Sequence, residues 1–267
     1  MFSNMKIDVS RLYPAIYERR SRRSYKPKPI EPKLLNEIST FCEEFRPFSE
    51  SRAILVPHQV DKAFRGIIGP RGAPAFIAFV GHTGNYHIQE KIGYTGEAVI
   101  LEATSLKLST CWVGGFLRRG MLETLVDTNN SERVFAITAI GYAKETESLR
   151  ERVMTGFGWT HRRKPLSSLV TGLPEEDWRD WTRCALEAAR IAPSATNRQP
   201  WKFYVDRDSI TISVKETGFA FNLSKRLDCG IAMLHIEIAA LNQGVCGGWE
   251  LLEAPQVARF TVSSNNS

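Results

Sequence analysis

The spacing of hydrophobic and polar positions changes several times along the chain, and each change marks an element. Leu34, Leu35, Ile38, Phe41 and Phe45 recur at helical spacing behind Pro32, a residue suited to an early helical position, and Pro47 closes the run. Residues 14–30 lead into this helix. ESRAILVPH (50–58) reads as a strand with its flanks, and APAFIAFVG (73–81) as a buried strand, because it is a short unbroken apolar run between glycines. YTGEAVILEATSLKLSTCWVGGF (94–116) reads as a long helix followed by a glycine-rich corner. RGMLETLVD (119–127) follows as a shorter helix, and ERVFAITAIGYAKE (132–145) holds a strand that ends at Gly141. Few signals mark residues 144–165. EEDWRDWTRCALEAARIA (175–192) then sets Trp178, Trp181, Ala185 and Ala188 on one helical stripe. WKFYV (201–205) and ITISV (210–214) form a hairpin through DRDS. LDCGIAMLHIEIAALNQGVCGGWE (227–250) is a second long helix with a second glycine corner.

This order repeats. A basic segment, a helix, strands, a long helix and a glycine corner occur twice. TGEAVILEATSLKLSTCW and CGIAMLHIEIAALNQGVCGG share a Gly-x-Ala start, helical periodicity and a cysteine near the corner. The pattern predicts an α+β chain made by internal duplication, with half-domains at 14–150 and 151–262. The segment between them is not Gly/Ser-rich, which favours a pseudo-symmetric pair over two independent domains.

Composition narrows the class. The 267 residues are 43% hydrophobic and 24% charged, enough for a real core and too little charge for wholesale disorder. The N-terminus has no long apolar stretch, and the longest apolar run, PAFIAFVG, is too short to span a bilayer, so no membrane partner is expected. Five cysteines, widely spread and without a C-x-x-C pair, read as reduced thiols of a cytoplasmic protein and argue against structural zinc. The histidines do not cluster at metal spacing, so no metal is expected. The net charge of +6 gathers largely in ERRSRRSYKPK (18–28) and THRRK (160–164). Such clusters fit a bound phosphate as well as a nucleic-acid surface.

Three stretches carry candidate chemistry. In ERRSRRSY, the residues Arg19, Arg20 and Ser21 form a possible anion grip, since guanidinium groups hold phosphate through paired hydrogen bonds and a hydroxyl adds a donor. Arg23 can turn to another part of the same ligand, and Arg162 and Arg163 can close from the other side. A solubilising lead into the first helix is the plain alternative. In PSATNRQPW, Pro193 stops a helix, Ser194 and Ala195 are small enough for a ligand to approach the backbone, and Asn197 and Gln199 offer donors and acceptors. An ordinary structural corner is the rival there. In TCWVGGF, the Gly114–Gly115 pair reads first as a helix cap, and second as exposed backbone amides around Val113 that can face a planar ring. Dinucleotide-binding, Walker A, zinc-protease and nucleophile-elbow signatures are absent.

Together these stretches resemble the nitroreductase family of FMN-dependent oxidoreductases. The opening R-x-S-x-R/K-x-F/Y is matched by Arg19, Ser21, Arg23 and Tyr25. The P-S-x-x-N-x-Q-P-W motif is matched by Pro193, Ser194, Asn197, Gln199, Pro200 and Trp201. The Cys-Trp-x-Gly corner is matched by Cys111, Trp112, Gly114 and Gly115, and the later Gly-Tyr and Arg-Lys-Pro-Leu by Gly141, Tyr142, Arg163, Lys164, Pro165 and Leu166. The resemblance spans roughly residues 15–250 and implies the nitroreductase-like fold. It departs in order: P-S-x-x-N stands in the second half, not one helix after the Arg-Ser motif. This is similar to nitroreductases whose single chain folds as a pseudo-dimer. It implies one FMN per chain, held by Arg19, Arg20, Ser21, Arg23, Val113, Gly114, Gly115, Arg162, Arg163, Pro193, Ser194 and Asn197. It also implies NAD(P)H as donor, a small nitroaromatic- or quinone-like acceptor, no catalytic side chain, no nucleic acid, and a monomer acting as a pseudo-dimer. A second pseudo-site would pair HRRKPLSS with RPFSESRA and lacks both motifs. Rival readings are a degenerate member that binds FMN or another ligand without turnover, a flavin enzyme of different chemistry, and a basic nucleic-acid module.

Overall fold

The computed structural model describes residues 7–58, 63, 70–115, 117–145, 162–214 and 224–263. The first half runs α1 (Val9–Glu18), α2 (Pro32–Glu44), β1 (Ser51–Val56), β2 (Ala75–His82), α3 (Ile88–Ser105), β3 (Ser109–Val113), α4 (Arg119–Leu125) and β4 (Glu132–Gly141). The second runs β5 (Val170–Gly172), α5 (Asp180–Arg190), β6 (Trp201–Asp206), β7 (Ser209–Val214), α6 (Lys225–Asn242), β8 (Gly247–Leu251) and β9 (Gln256–Val262). The boundary expected at residues 150–151, most of the 144–165 connector and Phe116 lie outside the described residues.

The α+β expectation holds, and two sheets carry the duplication. One has the order β1-β2-β4-β3, the other β5-β6-β7-β9-β8. With the parallel edge strand β5 set aside, β6-β7-β9-β8 repeats the first order, and every pairing in both is antiparallel. The two sheets differ in cover. Ile77 and Phe79 of β2 face the core beneath α2 and α3, while Phe76, Ala78 and Val80 face Leu122 of α4. Burial on both sides explains why AFIAFVG is apolar without a break. In β6, Trp201, Phe203 and Val205 are buried and Lys202, Tyr204 and Asp206 are exposed, so that sheet keeps one open face.

Between the sheets lie α3 and α6. Every residue of α3 from Glu90 to Thr104 is buried. Its Tyr94, Ala98 and Leu101 join the core of the second sheet, and its Ile92, Val99, Ile100 and Ala103 join that of the first. A helix enclosed on all sides is largely apolar all round, and the charged residues α3 does bury, Glu90, Lys91, Glu97 and Glu102, each have a polar partner. At the crossing of α3 and α6 the backbones nearly touch. A β-carbon on Gly93 would stand 2.0 Å from the Leu227 carbonyl oxygen, and one on Gly230 would stand 2.1 Å from that of Glu90. One sequence offset carries Gly93 onto Gly230 and Glu90 onto Leu227, so the two contacts are images of each other.

The same offset carries Lys107 onto Gly244. Both residues are left-handed (φ 62° and 72°) and end their helices alike: Leu108 N–H donates to the Ala103 carbonyl and Val245 N–H to that of Ala240, each at 2.9 Å. It also carries Trp112 onto Trp249. This register stands about one helical turn from the one that aligns the two Gly-x-Ala sequences.

Several sequence expectations need correction. The helix expected to run from residue 94 to the glycine corner ends at Ser105, and Ser109 to Val113 form strand β3 against β4. The Gly114–Gly115 pair therefore follows a strand and is no helix cap. The second copy behaves alike, with Gly247–Leu251 in β8. A left-handed residue stops each helix, and β-branched and aromatic residues then suit a strand. Helix α1, read only as a lead, and strand β9 were not expected.

Gly93→Ala and Gly230→Ala should each lower unfolding free energy by about 3 kcal/mol or more, because carbonyl backbone cannot yield to a β-carbon. Gly120→Ala, in open space within α4, should raise it by about 0.5–1 kcal/mol. Urea unfolding of the three variants measures both.

Candidate functional site

The basic segment begins where α1 stops. The Arg19 amide donates to the Ala15 carbonyl. Arg20 is exposed, and its Nη1 donates to the carbonyls of Tyr17 (2.7 Å) and Arg19 (2.8 Å), capping α1. Ser21 is exposed and bridges Thr110 of β3, and the Arg22 amide donates to the Thr110 carbonyl at 2.9 Å. The chain is thus laid along β3. Arg23 is half-buried, and its carbonyl accepts from the Arg71 amide at 2.9 Å. Tyr25 anchors the far end, only 1% exposed. Arg19 alone turns its whole side chain inward. Its Nη1 lies 3.4 Å from Ser21 Oγ, and its Nε lies 3.6 Å from Glu97 Oε1, an ion pair beyond hydrogen-bond length. Arg19 Nε is buried with no hydrogen-bond partner.

The second half brings residues 193–199. Pro193 is buried, and Ser194, Ala195 and Asn197 are half-buried. Thr196, Asn197 and Gln199 are left-handed, with φ of 53°, 55° and 47°. Asparagine tolerates this conformation; threonine and glutamine adopt it at a cost. Side-chain hydrogen bonds hold the turn. Gln199 Oε1 accepts from the Lys164 amide at 2.8 Å, and Nε2 donates to the carbonyls of Arg162 and Asn197 at 3.1 Å each. Ser194 Oγ accepts from the Gln199 amide at 2.9 Å. Asn197 Nδ2 donates to the Arg162 carbonyl at 2.9 Å, and Asn197 Oδ1 accepts from Arg163 Nη1. The mix of small and amide residues is therefore first a device that fastens the 162–164 segment. Arg162 itself is exposed and takes part through its backbone. Residues 162–164 are hydrogen-bonded to Ile191, Asn197, Arg198 and Gln199. His161 lies outside the described residues.

This fastening sets Arg163 against the first half. Burial, then the charges of Arg19, Arg190 and Arg20, push the Arg163 guanidinium down to about 10, while Glu97 opposes them. Burial first, and Arg20 after it, also lowers Arg19, against the pull of Glu97 and Cys111. Arginines from both halves therefore converge and repel one another around one carboxylate. Such an excess of partly buried positive charge, with one guanidinium nitrogen lacking an acceptor, fits an anion.

Val113 ends β3, Gly114 and Gly115 follow it directly, and all three are half-buried. Trp112, just before them, donates its indole N–H to Glu97 Oε2 at 2.7 Å. The corner and the arginines thus share Glu97. Glu97 and its neighbour His235 were missed in the sequence. A signal existed: each is a polar residue inside an otherwise apolar helical run. Asp228 was also missed. It accepts from the Ala195 amide (3.1 Å) and Arg198 Nε (2.7 Å), fastening the turn to α6.

The chain matches the family model described as "Putative TM nitroreductase" over residues 11–240. The chain belongs to this nitroreductase family. Among solved structures, a putative nitroreductase from Thermotoga maritima is similar at 17% identity with a TM-score of 0.61, covering 98% of this chain and 97% of that one. A nitroreductase with bound FMN from Bacteroides fragilis is similar at 20% identity and a TM-score of 0.42, over 52% of this chain and 91% of that one. No curated protein matches the sequence. The nitroreductase-like fold of a duplicated single chain is thus established. No helix among the described residues is long and apolar enough to cross a membrane.

Burial pushes the Asp228 carboxyl up to about 6 from its ordinary 3.8, against the pull of Arg198 and the Ala195 amide. The folded protein then binds a proton that the unfolded chain does not between about pH 4 and pH 6. Its sign is fixed by linkage: Asp228 makes stability fall as pH rises through that window, by up to about 3 kcal/mol. Asp228→Asn should remove this slope, as urea unfolding at pH 4, 5 and 6 would reveal.

Proposed function

We propose that the protein is an FMN-dependent oxidoreductase that passes electrons from NAD(P)H to a small nitroaromatic- or quinone-like acceptor. The observation that carries this reading is the convergence of Arg19, Arg20 and Arg163 from two halves of a nitroreductase-family chain, with a buried Arg19 Nε lacking an acceptor. Arg19, Ser21 and Arg163 would hold the phosphate. Arg20 would add charge while capping α1, and Arg162 would contribute less. Arg23 would stand toward the ring's electron-rich edge, where a cation favours the reduced form. Pro193, Ser194 and Asn197 would flank the ring from the second half, and the amides around Val113, Gly114 and Gly115 from the first. The flavin, when bound, supplies the hydride acceptor and donor. The chain's own residues bind it, orient it and tune its charge, and no side chain is needed as acid or base.

One flavin per chain is the expected load. The segment before β1 corresponds to the turn before β6, but it has no counterpart of P-S-x-x-N. There Lys91 donates to Glu50 Oε1 at 2.7 Å, where the first crevice has Asp228 and Arg198. Phe45 and Phe48 also pack against Tyr94, with ring centroids at 6.4 and 5.5 Å. Both features favour a closed second crevice. A monomer would then hold a complete site.

The purified chain, mixed with FMN and desalted, should retain a flavin band, and NAD(P)H should bleach it. Arg163→Ala should weaken FMN binding by tenfold or more, since it removes a charge-assisted contact worth about 1.5–3 kcal/mol. Retention without bleaching would leave a binding protein. No retention at saturating FMN would overturn the reading.

A further inference from the structure

Beneath the arginines lies a fully buried pair that the proposed function does not use. Glu97 of α3 and His235 of α6 are both 0% exposed, with His235 Nε2 3.1 Å from Glu97 Oε1. Glu97 Oε2 is occupied by the Trp112 indole N–H. His235 Nδ1 lies 2.8 Å from the Ala188 carbonyl. A carbonyl only accepts, so Nδ1 carries a proton. The contact between Nε2 and Oε1 then needs one proton of its own, because two lone pairs cannot face each other at that distance in a dry site. That proton has two homes. On Nε2 it leaves a carboxylate beside Arg19. On Oε1 it leaves a neutral acid there.

We infer that Glu97 and His235 are positioning residues whose shared proton sets the charge presented to Arg19, and so governs how firmly the arginine site holds an anion. Without ligand, the proton sits on His235 Nε2, and the Glu97 carboxylate compensates the buried Arg19. When a phosphate group takes Arg19, the proton passes to Glu97 Oε1. Imidazolium and carboxylate become imidazole and carboxylic acid, with no proton gained or lost. The guanidinium is then released to the ligand. The groups facing the pair are consistent with this exchange. Arg19, the Trp112 indole of β3 and the Ala188 carbonyl of α5 contact the pair directly, and Glu97 also acts on Arg163 from the second half; around these two arginines lie Arg20, Cys111 and Arg190, whose guanidinium is paired with Glu187 at 2.6 Å. The other half offers a contrast. Glu237 accepts from the Trp249 indole and the Tyr94 hydroxyl, each at 2.8 Å, where Glu97 has His235 and Arg19.

The inference rests on the anion site of the proposed function, and two probes separate their failures. The full chain carrying nitrogen-15 histidine is titrated with FMN and, separately, with inorganic phosphate. The expected result is a His235 ring with both nitrogens protonated in the free protein, and an Nε2 resonance that moves to the unprotonated range on saturation. Glu97→Gln identifies the resonance and tests the consequence. Its amide donates to Nε2 and its carbonyl accepts from Trp112, but Arg19 loses its counter-charge. Inorganic phosphate and FMN should then bind about tenfold tighter, the size expected for one nearby charge. A His235 ring unchanged with ligand bound, or unchanged or weaker anion binding by Glu97→Gln, would overturn the inference. A response to phosphate but none to FMN would remove the flavin reading and leave this one. If Glu97→Gln does not fold, the wild-type spectra still decide.

Discussion

Two helices can bring backbone against backbone only where neither carries a side chain at the point of contact. That condition is met at Gly93 and Gly230, where β-carbons would fall 2.0 and 2.1 Å from carbonyl oxygens of the opposite helix. The rest of the molecule depends on this crossing. It draws α3 and α6 close enough for α3 to serve two cores at once, and it sets two four-stranded arrangements of the same order on either side. In a protein assembled from two chains such a crossing would form an interface. Here it is covalently assured, and the halves cannot part without exposing the facing sides of both helices.

The site follows from the same geometry. Arg19 and the strand β3 belong to one half, and Arg163 and the 193–199 turn to the other. What fixes them relative to each other is polar as well as apolar. Glu97 reaches across to His235, and Glu237 reaches back to Tyr94. Each glutamate also takes the indole N–H of the tryptophan on its own half's corner strand. The two glutamates stand about one helical turn apart in the duplication register, so the halves reach a similar arrangement from different positions and differ in charge. One glutamate faces arginine and histidine, the other a tyrosine hydroxyl. The first crevice holds its turn through Asp228, and the second through Lys91 with the opposite sign. Under the proposed function, duplication followed by divergence of charge leaves the chain with one anion site.

Much of the fold was legible in the sequence. The unbroken AFIAFVG run announced a strand covered on both faces, and the WKFYV and ITISV pair announced a hairpin. Helix α2 and the stripe of Trp181, Ala185 and Ala188 followed from periodicity, whereas Trp178, expected on the same stripe, stands in extended backbone before the helix starts at Asp180. The strands after the long helices were not legible, because STCWV and GGWEL continue an apolar run already read as helix. Their helices stop at a left-handed residue, and in the first copy that residue is Lys107, which gives no glycine signal. The repeat was visible, but its register was not, since the matching glycines are defined by contacts in space. For the site, Arg19 and the 193–199 turn were found from their motifs. Glu97 and His235 were hidden inside apolar helices, and the role of Gln199 as a fastener of residues 162–164 depends on backbone groups that no side-chain pattern reveals.

The central claim is that the two halves together build one anion site and leave its mirror image closed. Equilibrium dialysis of the full chain against FMN, carried to saturation, tests it most directly. The account predicts one equivalent bound per chain. Two equivalents would mean that the crevice lined by Phe45, Phe48 and Lys91 is also a site, and would contradict it.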